Sequence, residues 1–347
     1  MGKETLYNKK SKHELEKDLK NETFSRRTLS FYKYIKLDDL DILRDKIYKS
    51  FNSLRILGRI YIANEGINAQ ISIPKKNIKR FEKLLDQDFN FGNIFIKEAV
   101  KEGNSFYKLI VKIKNEIVAY NISNKEYNMK KIGKHLDFEE FNKFIDNGAI
   151  VVDMRNYYES EVGRFENAII PDVERSQELL PTVKKRLKNN KKDKILLYCT
   201  GGIRCEKASS YLIHNGFKDV NQLNGGIIKY ANDIKKNNVK SKFIGKNFVF
   251  DSRMSEPVTN DIIGNCHICS NPCDRHTNCL NEHCHILILQ CSKCCKKFSN
   301  CCSKHCADFL LIDKEKRKKI FQSGKIKFNA QKSECIKPKL KDLRNIE

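Results

Sequence analysis

The 347 residues predict an α/β protein in three parts: an α+β unit, a parallel-sheet α/β unit and a cysteine-rich module. Three observations carry this reading. Strand-like and helix-like stretches alternate in the order β-α-β-β-α-β through the first third of the chain. In the middle, two short apolar runs, 149–154 and 194–199, alternate with helical patterns, as buried parallel strands do. Beyond them, eleven of the 14 cysteines fall between Cys266 and Cys306.

Residues 1–25 form a polar extension with helical potential in SKHELEKDLK. In 26–125, strands are expected at 29–35, 59–66, 67–73, 93–97 and 106–113, with helices at 38–51 and 75–86. Ile78, Phe81, Leu84 and Leu85 repeat at helical spacing. This order is that of a ferredoxin-like α+β sandwich. Asn64-Glu65-Gly66 falls where two strands need a turn, and Gly66 suits a backbone with φ > 0.

Residues 126–240 read as the parallel-sheet unit. A helix near 137–146 carries Phe138, Phe141 and Phe144. The buried strand AIVVDM (149–154), helical segments around 176–189, and a second buried strand, KILLYC (194–199), follow. A helix over 205–216 is closed by Gly216. A strand near 219–223 ends at Gly225-Gly226, before a last helix. Residues 241–265 read as a connector, which with the cysteine-rich stretch makes a 241–312 module. The basic tail, 313–347, is expected to be helical and then loose.

Lys and Arg number 67 against 43 acidic residues, a net charge of +24. Such a charge attracts polyanions, RNA among them, although Lys- and Asn-rich stretches such as KNNKKDK also reflect compositional drift. The opening MGKETLYNKK has no apolar core of a secretory signal. No apolar run approaches the roughly 18–20 residues of a membrane span. A cytoplasmic protein without a membrane partner is therefore expected, and no sequence feature specifies an oligomeric state.

The sharpest chemical signal is Cys199-Thr200-Gly201-Gly202-Ile203-Arg204, a loop between a buried strand and a helix. Ligands of open α/β sheets sit beyond the carboxyl ends of the strands. The two glycines let successive amides converge into an anion-binding nest, and the helix N-terminus adds positive potential. A thiol there should ionise below the usual range, making Cys199 a nucleophile by placement. Arg204 either braces the loop or holds an anion. The structural alternative is an inert buried cysteine before an ordinary Gly-Gly turn. Cys205 either resolves an oxidised or persulfidated Cys199 or simply packs in the first helical turn.

The segment YCTGGIRCEK resembles the active loop of rhodanese-like proteins, and VVDMRNYYESEVGRFENAIIPD resembles the entry strand and following loop of that fold. The resemblance implies a persulfide-carrying cysteine, with Asp153 and Arg155 as supporting charged residues. RIYIANEGINAQIS, DMRNYYE, CTGGIRCEKAS, KNFVFDSRM and NCHICSNPCDRHTNC, in this order, resemble the bacterial tRNA uridine(34) hydroxylases over roughly residues 28–306. That family implies an acylphosphatase-like N-terminal domain, a central rhodanese domain and a Cys-rich C-terminal segment. It also implies dioxygen-dependent conversion of the wobble uridine to 5-hydroxyuridine, an essential loop cysteine, and tRNA, through its anticodon loop, as partner. Arg164 stands where the family pattern leads one to expect His. No flavin or haem motif is visible, so the resemblance names a reaction whose oxygen chemistry the residues alone do not explain. The rival readings are a sulfurtransferase relaying persulfide through Cys199 and a non-enzymatic RNA-binding protein.

Cys266-x2-Cys269 and Cys291-x2-Cys294 have the paired spacing of a zinc ribbon. A second site could use Cys279, Cys284, Cys302 and Cys306. His267, His276, His283, His285 and His305 are alternative ligands. In a reducing compartment such a cluster binds metal more readily than it forms disulfides. Four thiolates leave no open position, so a structural zinc is implied; unmetallated, packed thiols are the alternative. Basic runs at 184–194 and 314–319 either track phosphates or form solvated helix faces. Phe31, Tyr32, Tyr34, Phe106 and Tyr107 either stack on RNA bases or pack in the core.

Overall fold

Helix α1 (Lys12–Lys20) opens the chain in the computed structural model, which describes residues 6–89, 91–324 and 326–332. Its start is fixed by a capping box: Ser11 accepts from the Glu14 amide while the Glu14 carboxylate reaches back. The last stretch of the basic tail, with Cys335, lies outside the described residues.

The first sheet contains β1 (Arg26–Tyr34), β2 (Leu57–Ala63), β3 (Gly66–Pro74), β4 (Lys97–Glu98) and β5 (Leu109–Ile113), ordered β4-β1-β3-β2-β5. The first four strands follow the ferredoxin-like order, and β5 joins the edge parallel to β2. Helices α2 (Leu40–Ser53) and α3 (Ile78–Lys83) supply Ile47, Phe51 and Phe81 to a core shared with Phe31, Ile60 and Ile71. Alternation along β1 sends Phe31 into this core and Tyr32 to the opposite face. The expected strand 93–97 contracts to Lys97–Glu98, because residues 93–96 leave the ladder while Ile94 and Ile96 still pack on the core. The expected 106–113 strand begins only at Leu109.

The second sheet is fully parallel: β6 (Lys134–Leu136), β10 (Asp219–Leu223), β9 (Lys194–Tyr198) and β7 (Ile150–Asp153), in that order. Helix α4 (Phe138–Asp146) and helix α8 (Gly226–Asn237) cover one face through Phe141, Ile227 and Tyr230. Helix α6 (Ser176–Arg186) and helix α7 (Ile203–His214) cover the other through Leu179, Leu180, Val183 and Leu212. Both faces of β9 are therefore buried, which is why it reads as an unbroken apolar run. Between β7 and α6 lie α5 (Tyr157–Ser160) and β8 (Gly163–Phe165).

The expected connector is instead built into a sheet. β11 (Phe243–Phe248) pairs antiparallel with both β8 and β12 (Ser255–Pro257). Phe243 and Phe248 are buried and anchor it. The cysteine-rich module follows as a hairpin, β13 (His276–Asn278) with β14 (Leu287–Leu289), then α9 (Ser292–Lys297), α10 (Lys304–Leu310), α11 (Lys314–Gln322) and α12 (Asn329–Lys332). No helix among the described residues is long and apolar enough to cross a membrane.

Candidate active site

Strand β9 delivers Cys199 to the carboxyl edge of the parallel sheet, and the chain turns at once into α7. The helix begins at Ile203, so Ile203, Arg204 and Cys205 belong to its first turn while Thr200, Gly201 and Gly202 form the bend. The Gly202 amide donates to Cys199 Sγ at 3.1 Å. Gly202 has φ of 94°, and a Cβ there would lie 2.9 Å from Tyr32 Oη. Gly226 (φ 67°) abuts the loop from α8: a Cβ would lie 2.6 Å from the Cys199 carbonyl oxygen and 2.7 Å from the Gly202 nitrogen. The amides of Ile227 and Ile228 donate to the carbonyls of Cys199 and Thr200, holding the loop from behind.

Burial pushes the Cys199 thiol up, but it is outweighed. A hydrogen bond from Cys205, the Arg204 charge and the amides of Arg204 and Cys205 together bring it down to about 6. Cys205 moves the other way, raised by burial and by donating to Cys199, so the pair is a thiol beside a thiolate. Both side chains are fully buried.

Arg204 is not a free cation. Its Nη1 and Nη2 reach Glu159 at 2.7 and 2.9 Å, and Nη2 also meets Thr200 Oγ1 at 3.1 Å. Asp153 and Arg155 lie beneath the loop as a fully buried, multiply bonded pair. Asp153 Oδ2 also accepts from Ser160 Oγ at 2.8 Å and Tyr198 Oη at 2.7 Å, while Arg155 Nη2 donates to the Gly163 carbonyl at 2.7 Å. Removing one member of such a pair costs roughly 3–5 kcal/mol. Asp153 and Arg155 thus tie β7, α5, β8 and the end of β9 together, and neither touches the cavity above the loop. Arg164 donates to the Ser160 carbonyl at 3.2 Å.

That cavity, about 430 Å³, opens between the first sheet and the loop. Thr200, Gly201 and Arg204 form its floor, and Tyr32, Tyr61, Phe106, Tyr158 and Phe250 are among its walls. The volume lies within the roughly 300–1,000 Å³ of small-ligand sites. Of the aromatics singled out from sequence, Tyr32 and Phe106 face it, Phe31 lies on both its wall and the core, and Tyr34 Oη donates to the Ile203 carbonyl at 3.3 Å. The basic runs 184–194 and 314–319 do not line it.

Several polar residues at this site carried no sequence signal of their own. Glu206 accepts from Tyr32 at 2.8 Å and Gln222 at 3.1 Å, and pairs with His135 at 2.9 Å. Burial raises Glu206, yet His135, Tyr32 and Gln222 bring it below the usual carboxylate range. Its bond to Glu206 raises His135. Lys207 bridges to Glu65 at 2.7 Å and Glu116 at 2.9 Å. Lys97 reaches the cavity from β4, its charge 4.6 Å from the Tyr32 ring centroid. Glu159, Glu206, Lys207 and Glu65 stand inside the DMRNYYE, CTGGIRCEKAS and RIYIANEGINAQIS motifs and could have been singled out from them; Lys97, Glu116, His135 and Gln222 lie in none of the motifs.

The cysteines form two groups with sulfurs mutually within 4.8 Å: Cys266, Cys269, Cys291 and Cys294; and Cys279, Cys284, Cys302 and Cys306. Sulfur separations of 3.6 Å (Cys269–Cys291), 3.8 Å (Cys284–Cys302) and 3.8 Å (Cys302–Cys306) are far beyond a disulfide bond. A tetrahedral ion with bonds of about 2.3 Å requires edges of about 3.8 Å. The amides of Cys291 and Cys302 donate to Cys266 and Cys279, as thiolates favour. The donor set therefore fits two structural metal ions. Cys273, Cys295 and Cys301 stand outside both groups, as do the five histidines.

Three family models match the chain in order: the UPF0176 acylphosphatase like domain over residues 26–117, the Rhodanese-like domain over 137–233 and the Rhodanase C-terminal over 244–307. Among curated relatives, the tRNA uridine(34) hydroxylase of Leptospira interrogans is 48% identical over 98% of this chain and 94% of its own length. That of Photorhabdus laumondii is 46% identical over 82% of each chain. The Yersinia pestis protein of the same name is 45% identical, covering 82% of this chain and 81% of its own.

Proposed function

Because the chain belongs to the tRNA uridine(34) hydroxylase family, we propose that it converts the wobble uridine of tRNA to 5-hydroxyuridine in the cytoplasm, with Cys199 as its reactive group. The observation that carries this reading is a thiol held near pKa 6 in a loop whose next residues, Thr200, Gly201 and Arg204, floor a cavity of nucleoside dimensions. A base inside a stacked anticodon loop cannot reach the sheet edge, so uridine 34 must be presented unstacked. The aromatic walls suit a base stacked between rings, and Arg59, also on the wall, suits a flanking phosphate. Dioxygen as co-substrate supplies one oxygen atom, and its other atom leaves as water with two electrons from a separate donor.

The chain's own residues keep the sulfur ionised and the loop fixed. Gly202 donates its amide, Cys205 donates its thiol, and Arg204, clamped by Glu159, gives a charge that cannot swing away. Thr200, Gly201, Gly202 and Ile203 carry this cradle, while Asp153 and Arg155 act as positioning residues below it. The two cysteine quartets would each hold one zinc ion. Its contribution there is structural, joining β13, β14, α9 and α10, whose apolar residues are too few to fold unaided.

The test is nucleoside mass spectrometry of tRNA from a strain lacking its own uridine 34 hydroxylase, complemented with this chain or with Cys199→Ser. The wild type should restore 5-hydroxyuridine and the variant should not. Restoration by Cys199→Ser would overturn the role of the sulfur. Unmodified tRNA alongside thiosulfate-to-cyanide sulfur transfer would point instead to the persulfide relay.

A further inference from the structure

Among the described residues two lysines are almost wholly buried, and they are treated very differently. Lys207 is 0% exposed and meets two carboxylates, at 2.7 and 2.9 Å. Lys97 is 5% exposed, and among the described residues its side chain has neither a hydrogen bond nor an ion pair. Its ammonium has ring faces nearby, Tyr32 at 4.6 Å and Phe95 at 5.5 Å, and the charges of Cys199 and Glu206 act on it without a hydrogen bond. Removing an ammonium from water without an acceptor is costly, and the charges of Cys199 and Glu206 offset only part of that cost, so its donors are left for something else to meet.

Its position indicates what that is. Lys97 pairs with Ser30 on the edge of the first sheet, and the next carbonyl, Glu98, accepts from Asn232 of α8, so β4 is held between the two units. The side chain lines the cavity, and a Cβ on Gly201 would lie 3.7 Å from Lys97 Cε. The ammonium is thus presented beside the Cys199 loop. Burial lowers it, with Cys199 and Glu206 opposing, to about 8, which leaves it mostly protonated at neutral pH.

We propose that Lys97 recognises the 4-carbonyl oxygen of the target base and so selects uridine over cytidine. This rests on the hydroxylase reading above. An ammonium has three donors and no acceptor. At position 4 uracil presents an accepting oxygen, whereas cytosine presents a donating amino group that would meet Lys97 donor to donor. The 4-carbonyl adjoins C5, the carbon hydroxylated, so this contact also fixes the reacting edge of the ring relative to the loop.

The experiment measures binding of two anticodon-arm RNAs, differing only in uridine or cytidine at position 34, to the full-length wild type, Lys97→Met and Lys97→Arg, with hydroxylation of the uridine arm followed in parallel. A hydrogen bond to a charged group supports about ten- to a hundredfold preference for uridine in the wild type. Lys97→Met should reduce that ratio to within about twofold of unity, and Lys97→Arg should keep part of it. Lys97→Met should also melt no lower than wild type, because it removes an unpaired buried charge. A preserved uridine preference in Lys97→Met overturns the proposal. So does a melting temperature several degrees lower, which would make the ammonium a structural partner. A wild type that prefers uridine but never hydroxylates it fails the functional reading and leaves Lys97's recognition standing; one that shows no preference fails the recognition itself.

Discussion

Replacing Cys205 with Ala tests the electrostatics of the loop most directly, because it deletes one donor and leaves the Arg204–Glu159 clamp in place. Cys199 falls from 9.0 to about 6 although it is fully buried. At 1.36 kcal/mol per pKa unit, those three units correspond to about 4 kcal/mol favouring the thiolate, net of its desolvation. The Cys205 thiol is the foremost group opposing that desolvation. A hydrogen bond to a charged acceptor contributes about 1.5–3 kcal/mol, or roughly one to two units. Cys205→Ala should therefore titrate Cys199 at about 7–8.

The assay is the ultraviolet absorbance of the thiolate against pH, taken as the difference between each protein and its Cys199→Ser counterpart, which cancels the twelve C-terminal cysteines. The sign extends to stability. A thiol depressed in the folded state contributes stability that is fully present above about pH 9 and lost as pH falls through about 6. The advantage of wild type over Cys199→Ser should therefore grow as pH rises across that window. A wild-type midpoint at or above about 8, or no movement in Cys205→Ala, would refute the account of the loop as a thiolate cradle.

Two further outcomes follow from the geometry. Gly226→Ala would set a methyl group 2.6 Å from the Cys199 carbonyl and 2.8 Å from that of Thr200, at a φ of 67°; the loop must move, and hydroxylation should fall by about a hundredfold or more, since displacements near 1 Å carry such costs. Wild-type turnover in that variant would show that the contact is tolerated. Elemental analysis of protein purified without chelator should give about two zinc ions per chain, and about one in Cys284→Ser, which breaks only the second quartet; less than half an equivalent in the wild type would dispose of the metal.

How much of this was legible in the sequence depends on how local each cause is. The strand KILLYC and its glycine loop are recognisable because both faces of β9 are buried and the turn follows without an intervening residue. The cysteine pairs are recognisable because C-x2-C is a spacing with a geometric meaning. Strand β11 is not legible because its burial alternates while its hydropathy does not: the inward positions after Phe243 are filled by Gly245 and Asn247. The network around Glu206 was invisible for another reason. His135, Glu206 and Gln222 lie on three separate elements of the parallel-sheet unit, Tyr32 joins them only across the contact with the first sheet, and no local spacing in the chain links the four.

That docking bears on which chemistry the loop serves. A sulfur relay needs a cradled thiol and an approach for small donors, and the parallel-sheet unit alone provides the cradle. Here the loop is roofed: Tyr34 and Tyr120 of the N-terminal region hydrogen-bond the carbonyls of Ile203 and Arg204, Tyr32 reaches past Gly202 to Glu206, and Lys207 is neutralised by Glu65 and Glu116. Every one of these contacts spends a polar group of the first turns of α7 on the first unit instead of on solvent. The product is a cavity whose aromatic and cationic walls come from β1, β2, β4 and the segment after β11, with the Cys199 loop as its floor. A surface assembled from such separated parts suits a planar base delivered on a polyanion far better than it suits an inorganic sulfur donor, and this is the physical reason for placing the hydroxylase reading ahead of the relay.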